Sequence, residues 1–250
     1  MIPKVIHYCW FGRNPLPKSA VKCIESWRKY LPDYDIKEWN EDNFDVNIIP
    51  YTAEAYSVGK YAFVSDYARF WVLYHYGGVY FDTDVEVIKP IDDIVEKGAF
   101  MGVEVMCEVH PRSLIGYPMV APGLGIGAPA GVEFYKKMLD FYLSYHFLPE
   151  CGKTIGGTVV YHTTKMLVEE GLKMQPDLQQ VAGIWIYPED YFNPFDDLTG
   201  RLNKTERTRS IHWYSRSWQK QSPLRIWLSR MSHRIFGLTI YKLKKRFKLT

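Results

Sequence analysis

Gly77-Gly78-Val79-Tyr80-Phe81-Asp82-Thr83-Asp84 directly follows a stretch, Lys60 to Tyr76, in which Val64, Tyr67, Ala68, Trp71 and Val72 recur at helical spacing. The glycine pair ends that helix. The apolar run Val79 to Val87 then reads as a strand, which Pro90 stops. Residues two apart on a strand share a face, so Asp82 and Asp84 are expected to point the same way. They lie near the end of an apolar strand, where α/β sheets place ligands. Two neighbouring carboxylates repel each other unless a cation joins them, and oxygen ligands select Mg²⁺ or Mn²⁺. Such an ion can bridge a diphosphate and neutralise its charge as it leaves. The plain alternative is a pair of solvated acids in a turn.

Working back along the helix, Ser65-Asp66-Tyr67-Ala68-Arg69 puts Asp66 and Arg69 three apart, on one face. Either they form a surface ion pair of little worth, or, in a helix otherwise nearly all apolar, they face a pocket. In a pocket Arg69 would grip a phosphate or sugar hydroxyl with its planar fork, and Asp66 would accept sugar hydroxyls. Further upstream, Val5 to Trp10 reads as a buried strand, a helix opens at Pro15-Leu16-Pro17 and runs through Arg28, and Asp35 to Trp39 reads as a second strand. This order predicts a Rossmann-like unit. No GxGxxG follows the first strand, so dinucleotide binding of the usual kind is not expected.

Downstream, Gly123 to Pro129 reads as a glycine-rich turn and Gly131 to Tyr145 as a helix. A second helix follows Gly156-Gly157-Thr158 as far as Glu170. Trp185 to Pro188 reads as a strand, Tyr191 to Phe195 as an aromatic loop and Arg209 to Trp213 as a last strand. The composition, 47% hydrophobic and 24% charged over 250 residues, excludes a disordered chain. Eight Trp and 19 Tyr fit either carbohydrate stacking or a large aromatic core. The four cysteines, Cys9, Cys23, Cys107 and Cys151, form no CxxC and suggest reduced thiols in a cytosolic protein. Neither a signal peptide nor a membrane span is expected.

Four separated blocks, in order, carry a resemblance. Ile2-Pro3-Lys4-Val5-Ile6-His7-Tyr8-Cys9-Trp10-Phe11-Gly12 opens the chain, and Ser65-Asp66-x-x-Arg69 and Gly77-Gly78-Val79-Tyr80-x-Asp82-Thr83-Asp84 follow. Ile211-His212-Trp213-x-x-x-Ser217-Trp218 is the last. Together they resemble glycosyltransferase family 32, which holds bacterial capsule and O-antigen transferases and fungal mannosyltransferases. The central block, Ser65 to Asp84, also resembles the glucosyltransferase domain of the large clostridial toxins.

The resemblance implies a GT-A fold, one Rossmann-like α/β domain with a mixed central sheet over residues 1–218, and a retaining, metal-dependent transfer of a hexose from a nucleotide sugar. Asp66, Arg69, Asp82 and Asp84 would be the catalytic set. Asp84 would bind Mn²⁺ or Mg²⁺, Asp82 would reach the ribose or a metal-bound water, and His212 would add a ligand or else be a strand-end histidine. His7, Tyr8, Trp10, Gly78, Tyr80 and Trp218 would line the donor. UDP-sugars are the expected donors and GDP-mannose the alternative, with a lipid-linked glycan as acceptor in surface polysaccharide synthesis. Thr154-Ile155-Gly156-Gly157-Thr158 departs from the Thr-Gly-Pro of many members, and Gly125-Ile126-Gly127-Ala128 lacks the usual Asn, so the sugar is left open.

Other readings remain. Phe81-Asp82-Thr83-Asp84-Val85 superficially fits a haloacid-dehalogenase phosphatase, but there the motif ends the first strand of the domain. A carbohydrate-binding protein with a dead site is a second rival, against which the intact acids argue.

Residues 219–250 form a separate tail. No Asp or Glu occurs after Glu206, whereas 12 of the 31 Lys/Arg lie at 207–250. Ser222 and Pro223 suit a helix start. Leu224, Trp227, Leu228, Met231 and Ile235 would share a face flanked by Arg225, Arg230 and Arg234, and Gly237 would break the helix before the basic run Tyr241 to Lys248. The tail is expected either to lie on anionic lipid at the inner face of the cytoplasmic membrane or to pack on the domain. No nucleic-acid module accompanies its charge.

Overall fold

The computed structural model of the chain describes residues 1–105, 117–148, 157–215 and 222–236. Strand β1 (Val5–Cys9), helix α1 (Lys18–Tyr30) and strand β2 (Asp35–Trp39) come first, followed by helices α2 (Pro50–Ser57) and α3 (Tyr61–Tyr76). Strands β3 (Gly78–Tyr80) and β4 (Val85–Val87), helix α4 (Asp92–Lys97), and strands β5 (Phe100–Val105), β6 (Met119–Val120) and β7 (Ile126–Ala128) come next. Then come helices α5 (Glu133–Leu143) and α6 (Val159–Glu169), strands β8 (Gln179–Val181) and β9 (Ile184–Tyr187), and the short helix α7 (Glu189–Phe192). Strands β10 (Phe195–Asp196), β11 (Arg201–Leu202) and β12 (Ser210–His212) and helix α8 (Pro223–Phe236) complete the described chain.

Among the described residues the central sheet runs β2-β1-β3-β7-β5-β9-β8, with β6 also against β5. It is mixed: β1 pairs in parallel with β2 and β3, β7 runs antiparallel to β3 and β5, and β9 is parallel to β5. The expected Rossmann-like β1-α1-β2 unit is therefore present. Alternation along β1 sends Ile6 and Tyr8 to one core with Ile24, Trp27 and Phe81, and Cys9 to the other with Trp39, Tyr67 and Phe70. Helix α1 buries Ala20, Cys23, Ile24 and Trp27 at helical spacing, while α3 buries residues all round its axis, Asp66 and Arg69 included.

The glycine pair does more than stop α3. Gly78 has φ 110°, and a β-carbon on it would lie 2.7 Å from the Val5 carbonyl oxygen and 2.8 Å from His7 Nε2. Only glycine lets β3 lie this close to β1 with that backbone.

Two expectations need correction. The single strand over Val79 to Val87 is two strands in two sheets. Val85 N–H donates to the Asp82 carbonyl at 3.1 Å, closing a turn at Thr83 and Asp84. Strand β4 then pairs antiparallel with β12 instead of continuing in the central sheet. The Trp27 indole, fully buried under the turn, donates to the Val85 carbonyl at 2.7 Å and fixes the break.

The second correction concerns the tail. Helix α8 forms with the expected apolar stripe, but Arg230, partly buried, and Arg234, still exposed, reach to the neighbouring hairpin. Arg230 reaches Asp197 at 3.2 Å and lies over the Phe195 ring, and Arg234 Nη2 donates to the Gly200 carbonyl at 3.0 Å. The arginines tie α8 to the β10–β11 hairpin, so Leu224, Trp227, Leu228 and Ile235 face outward, between 54% and 66% exposed. Tyr241 to Lys248, Trp218, Cys107 and Cys151 lie outside the described residues; Cys9 and Cys23 are free and buried.

Candidate active site

Helix α3 runs beneath the β3–β4 turn and lifts its one buried ion pair against it. Arg69 Nη2 lies 2.9 Å from Asp66 Oδ1 and 3.4 Å from Asp82 Oδ1, and its Nε–H donates to the Ser65 carbonyl at 3.0 Å. The guanidinium also lies over the Tyr80 ring, 5.0 Å from its centre. Tyr80 returns along the strand, its hydroxyl donating to Asp82 Oδ1 at 3.0 Å. One oxygen of Asp82 is thus held from two sides, and the other lies against Gly123, whose carbonyl accepts the Asp82 N–H at 3.1 Å.

Asp84 is gripped differently. His212 Nε2, on β12, lies 3.0 Å from Asp84 Oδ1, and Ser215 donates to Oδ2 through its N–H at 2.8 Å and its hydroxyl at 3.0 Å. The antiparallel pairing of β4 with β12 places Val85 opposite His212 and carries the histidine to the turn.

Electrostatics follow from this packing. Burial pushes the Asp66 carboxyl up to about 7, with Arg69 opposing the shift and Asp82 adding to it. Burial also works against the charge of Asp84, but His212 and the two Ser215 donors outweigh it and hold the carboxyl well below its ordinary range. His212 is the mirror case. Burial disfavours its cation, yet Asp84, with Asp82 and Glu104 farther off, raises its pKa. Three acids share one guanidinium and one imidazole here, an arrangement that attracts a cation. Ligand atoms of Asp82, Asp84 and His212 all lie within 4.8 Å of one another.

The structure therefore unites Asp66, Arg69, Tyr80, Asp82, Asp84 and His212. The turn, and not a shared strand face, makes the two aspartates converge. Arg69 is only 4% exposed and already engaged, so its geometry orients Asp82 and does not offer an open phosphate fork. The remaining expected donor residues sit farther back. His7 is buried in the sheet: its Nδ1 accepts from the Trp39 indole at 3.1 Å, and its Nε2 faces the Gly77 carbonyl at 2.9 Å. Burial lowers its pKa to about 4. The buried Tyr8 donates to Glu38 at 2.5 Å, and Trp10, half-buried at the end of β1, donates its indole N–H to the Asn14 carbonyl at 2.6 Å. Gly78 serves strand packing, as described above.

Sequence reading missed Gly123, Ser215, Glu104 and Tyr214. Gly123, read as opening a glycine-rich turn whose Ile126–Ala128 is instead strand β7, and a serine three after a histidine were visible but carried no period. Glu104, a lone carboxylate inside the apolar stretch Phe100–Val105, was the detectable signal.

Curated proteins of similar sequence are mannosyltransferases by name. The chain is 27% identical over 198 residues to inositol phosphoceramide mannosyltransferase 3 of Schizosaccharomyces pombe, covering 76% of this chain and 51% of that protein. It is 31% identical over 111 residues to inositol phosphoceramide mannosyltransferase 1 of the same yeast, covering 40% of this chain and 33% of that protein. The chain thus spans about half the length of the first of these relatives and about a third of the second. Among solved structures, the PaToxG glycosyltransferase aligns with a TM-score of 0.49 at 20% identity, over 67% of this chain and 70% of that one. The stretch that supplies Asp66, Arg69, Asp82 and Asp84 is identified by its own match: residues 17–101 fit the family model described as the glycosyltransferase sugar-binding region containing the DXD motif.

Proposed function

We propose that this chain is a metal-dependent, retaining glycosyltransferase of the GT-A type, moving a hexose from a nucleoside diphosphate sugar to a glycan acceptor. The observation that carries the reading is the convergence of Asp82, Asp84 and His212 within 4.8 Å at the end of β3, inside a stretch matching the DXD region.

The donor set fits a divalent ion. Two carboxylates and an imidazole suit Mn²⁺ or Mg²⁺ better than a thiolate-seeking metal. An ion bound by Asp84, Asp82 and His212 would supply neutralising charge for the departing diphosphate. The protein's own work is positional. Arg69 and Tyr80 hold one oxygen of Asp82, Ser215 holds one oxygen of Asp84, and Asp66 keeps the Arg69 guanidinium in place. Such prior orientation removes reorganisation from the barrier. On the retaining course, the anomeric carbon–phosphate oxygen bond breaks and the acceptor oxygen bonds the same face. The acceptor's proton passes to the leaving phosphate.

UDP-hexose is the donor we assign, in surface polysaccharide synthesis. The mannosyltransferase names of the relatives favour GDP-mannose as the second reading. We assign a lipid-carried acceptor and a peripheral position on the inner face of the cytoplasmic membrane. The support is the outward apolar stripe of α8 and the all-basic sequence around it. No helix among the described residues is long and apolar enough to cross a membrane. The test is a panel of UDP- and GDP-sugars scored for Mn²⁺-dependent hydrolysis and thermal stabilisation. Release of sugar from one donor supports the reading; indifference to every donor with Mn²⁺ present overturns it.

A further inference from the structure

Strand β5 is buried along its whole length, and Glu104 is its single charged residue. A carboxylate in such a place is costly unless it is hydrogen-bonded. Its Oε1 accepts the Tyr214 hydroxyl at 3.0 Å, and its main-chain oxygen accepts from Asn193 Nδ2 at 2.8 Å, which fixes the strand end.

Tyr214 has φ 50°, in the left-handed region that bulky residues avoid. Such a conformation is strained and persists only where surrounding contacts impose it. Those contacts lead to the candidate metal residues. The Tyr214 ring stands edge-on to the His212 ring, centres 4.2 Å apart and planes at 70°. The next residue, Ser215, holds Asp84. Two consecutive residues therefore secure the imidazole and the carboxylate in turn.

A histidine that binds a metal is ordinarily aimed by a hydrogen bond from its other ring nitrogen. The Nδ1 of His212 is buried and has no such partner among the described residues. Packing must then do what the hydrogen bond usually does.

We propose that Tyr214, anchored by Glu104, is the positioning residue that aims His212 Nε2 at the metal. This rests on the metal reading above and goes beyond it by assigning a role to two residues outside the DXD region. The anchor works as a hydrogen-bond acceptor, so the amide of Glu104→Gln can replace it.

The test uses the full chain and Mn²⁺ alone, with binding followed by calorimetry and by the paramagnetic resonance spectrum of the bound ion. Tyr214→Phe keeps the ring and loses the anchor. Tyr214→Gly loses the ring but suits the positive φ, so the backbone is not strained. We expect Mn²⁺ affinity to fall roughly 10- to 100-fold in both, the usual scale for losing a residue that orients a ligand, with an altered spectrum. Glu104→Gln should retain most of the affinity, and Glu104→Leu should behave as Tyr214→Phe does. If Tyr214→Phe and Tyr214→Gly bind Mn²⁺ as the parent does, whatever their thermal midpoints, the positioning role is overturned while the metal reading stands. If the parent chain itself binds no Mn²⁺, the metal reading falls and takes this inference with it.

Discussion

Gly123 and Asp82 share one space: a β-carbon at position 123 would lie 2.0 Å from Asp82 Oδ2 and 3.3 Å from Arg69 Nη1. The carboxylate is pressed against bare backbone on one side and held by Tyr80 and Arg69 on the other. Gly123→Ala is therefore expected to push the carboxylate out of register, since no rotation of a methyl group avoids the contact. Displacements of this size at an oriented site cost on the order of 100-fold in rate. Donor hydrolysis should fall by that order while circular dichroism stays native. An unchanged rate would mean that the orientation of Asp82 does not matter to turnover.

Asp84 receives three donors, which hold its carboxyl well below the ordinary range. Asp84→Asn keeps the shape and removes the charge. Loss of a main electrostatic group typically costs ~100- to 1000-fold, so donor turnover should nearly vanish and Mn²⁺ binding weaken with it. Full turnover by Asp84→Asn, or by the parent chain in excess EDTA, would be incompatible with a metal-dependent transferase.

Arg69 is buried among Asp66, Asp82 and the Ser65 carbonyl. Arg69→Ala leaves Asp66 without its cation, and breaking a buried pair in this way costs about 3–5 kcal/mol. Denaturant unfolding should register that loss, alongside reduced activity. Arg69→Lys should recover only part of both, because a point charge cannot serve three acceptors set around a planar fork. Stability unaffected by Arg69→Ala would show the pair to be dispensable.

His7 gives the chain a defined acid sensitivity. Burial lowers its pKa to about 4 in the folded state, against 6.5 when exposed. Below pH 6.5 the unfolded chain takes up a proton that the folded chain refuses, so stability falls as pH drops. The loss is complete below pH 4 and amounts to about 3 kcal/mol. His7→Gln, which keeps a donor and an acceptor, should flatten the stability profile across that window. A profile as steep as the parent's would assign the acid sensitivity to other groups.

The outward stripe of α8 predicts lipid binding that its charge alone would not give. The full chain should sediment with anionic vesicles and release as salt rises. Trp227→Glu with Leu228→Glu should abolish sedimentation without reducing donor hydrolysis, since both side chains face outward. If the double variant binds vesicles as the parent does, the stripe is not the lipid contact.

Some of this protein was fixed locally. The recurrence of Val64, Tyr67, Ala68, Trp71 and Val72 at helical spacing marks α3, although the folded helix is buried all round, and Gly77-Gly78 ends it because both backbone angles exclude other residues. Strands β1 and β2 were legible for the same reason, as continuous or alternating apolar runs. Helices α2 and α4, with eight and six residues, were not, because they are too short for a period to declare itself. The candidate site divides along the same line. The types and order of Asp66, Arg69, Asp82 and Asp84 are in the sequence. Only the tertiary structure closes the turn that brings Asp82 and Asp84 together, pairs β4 with β12 to deliver His212, and ties Arg230 and Arg234 of α8 to the β10–β11 hairpin. Periodicity reports which face of an element is buried, whereas strand pairing and ion-pair partners depend on groups far apart along the chain, whose meeting no local pattern encodes.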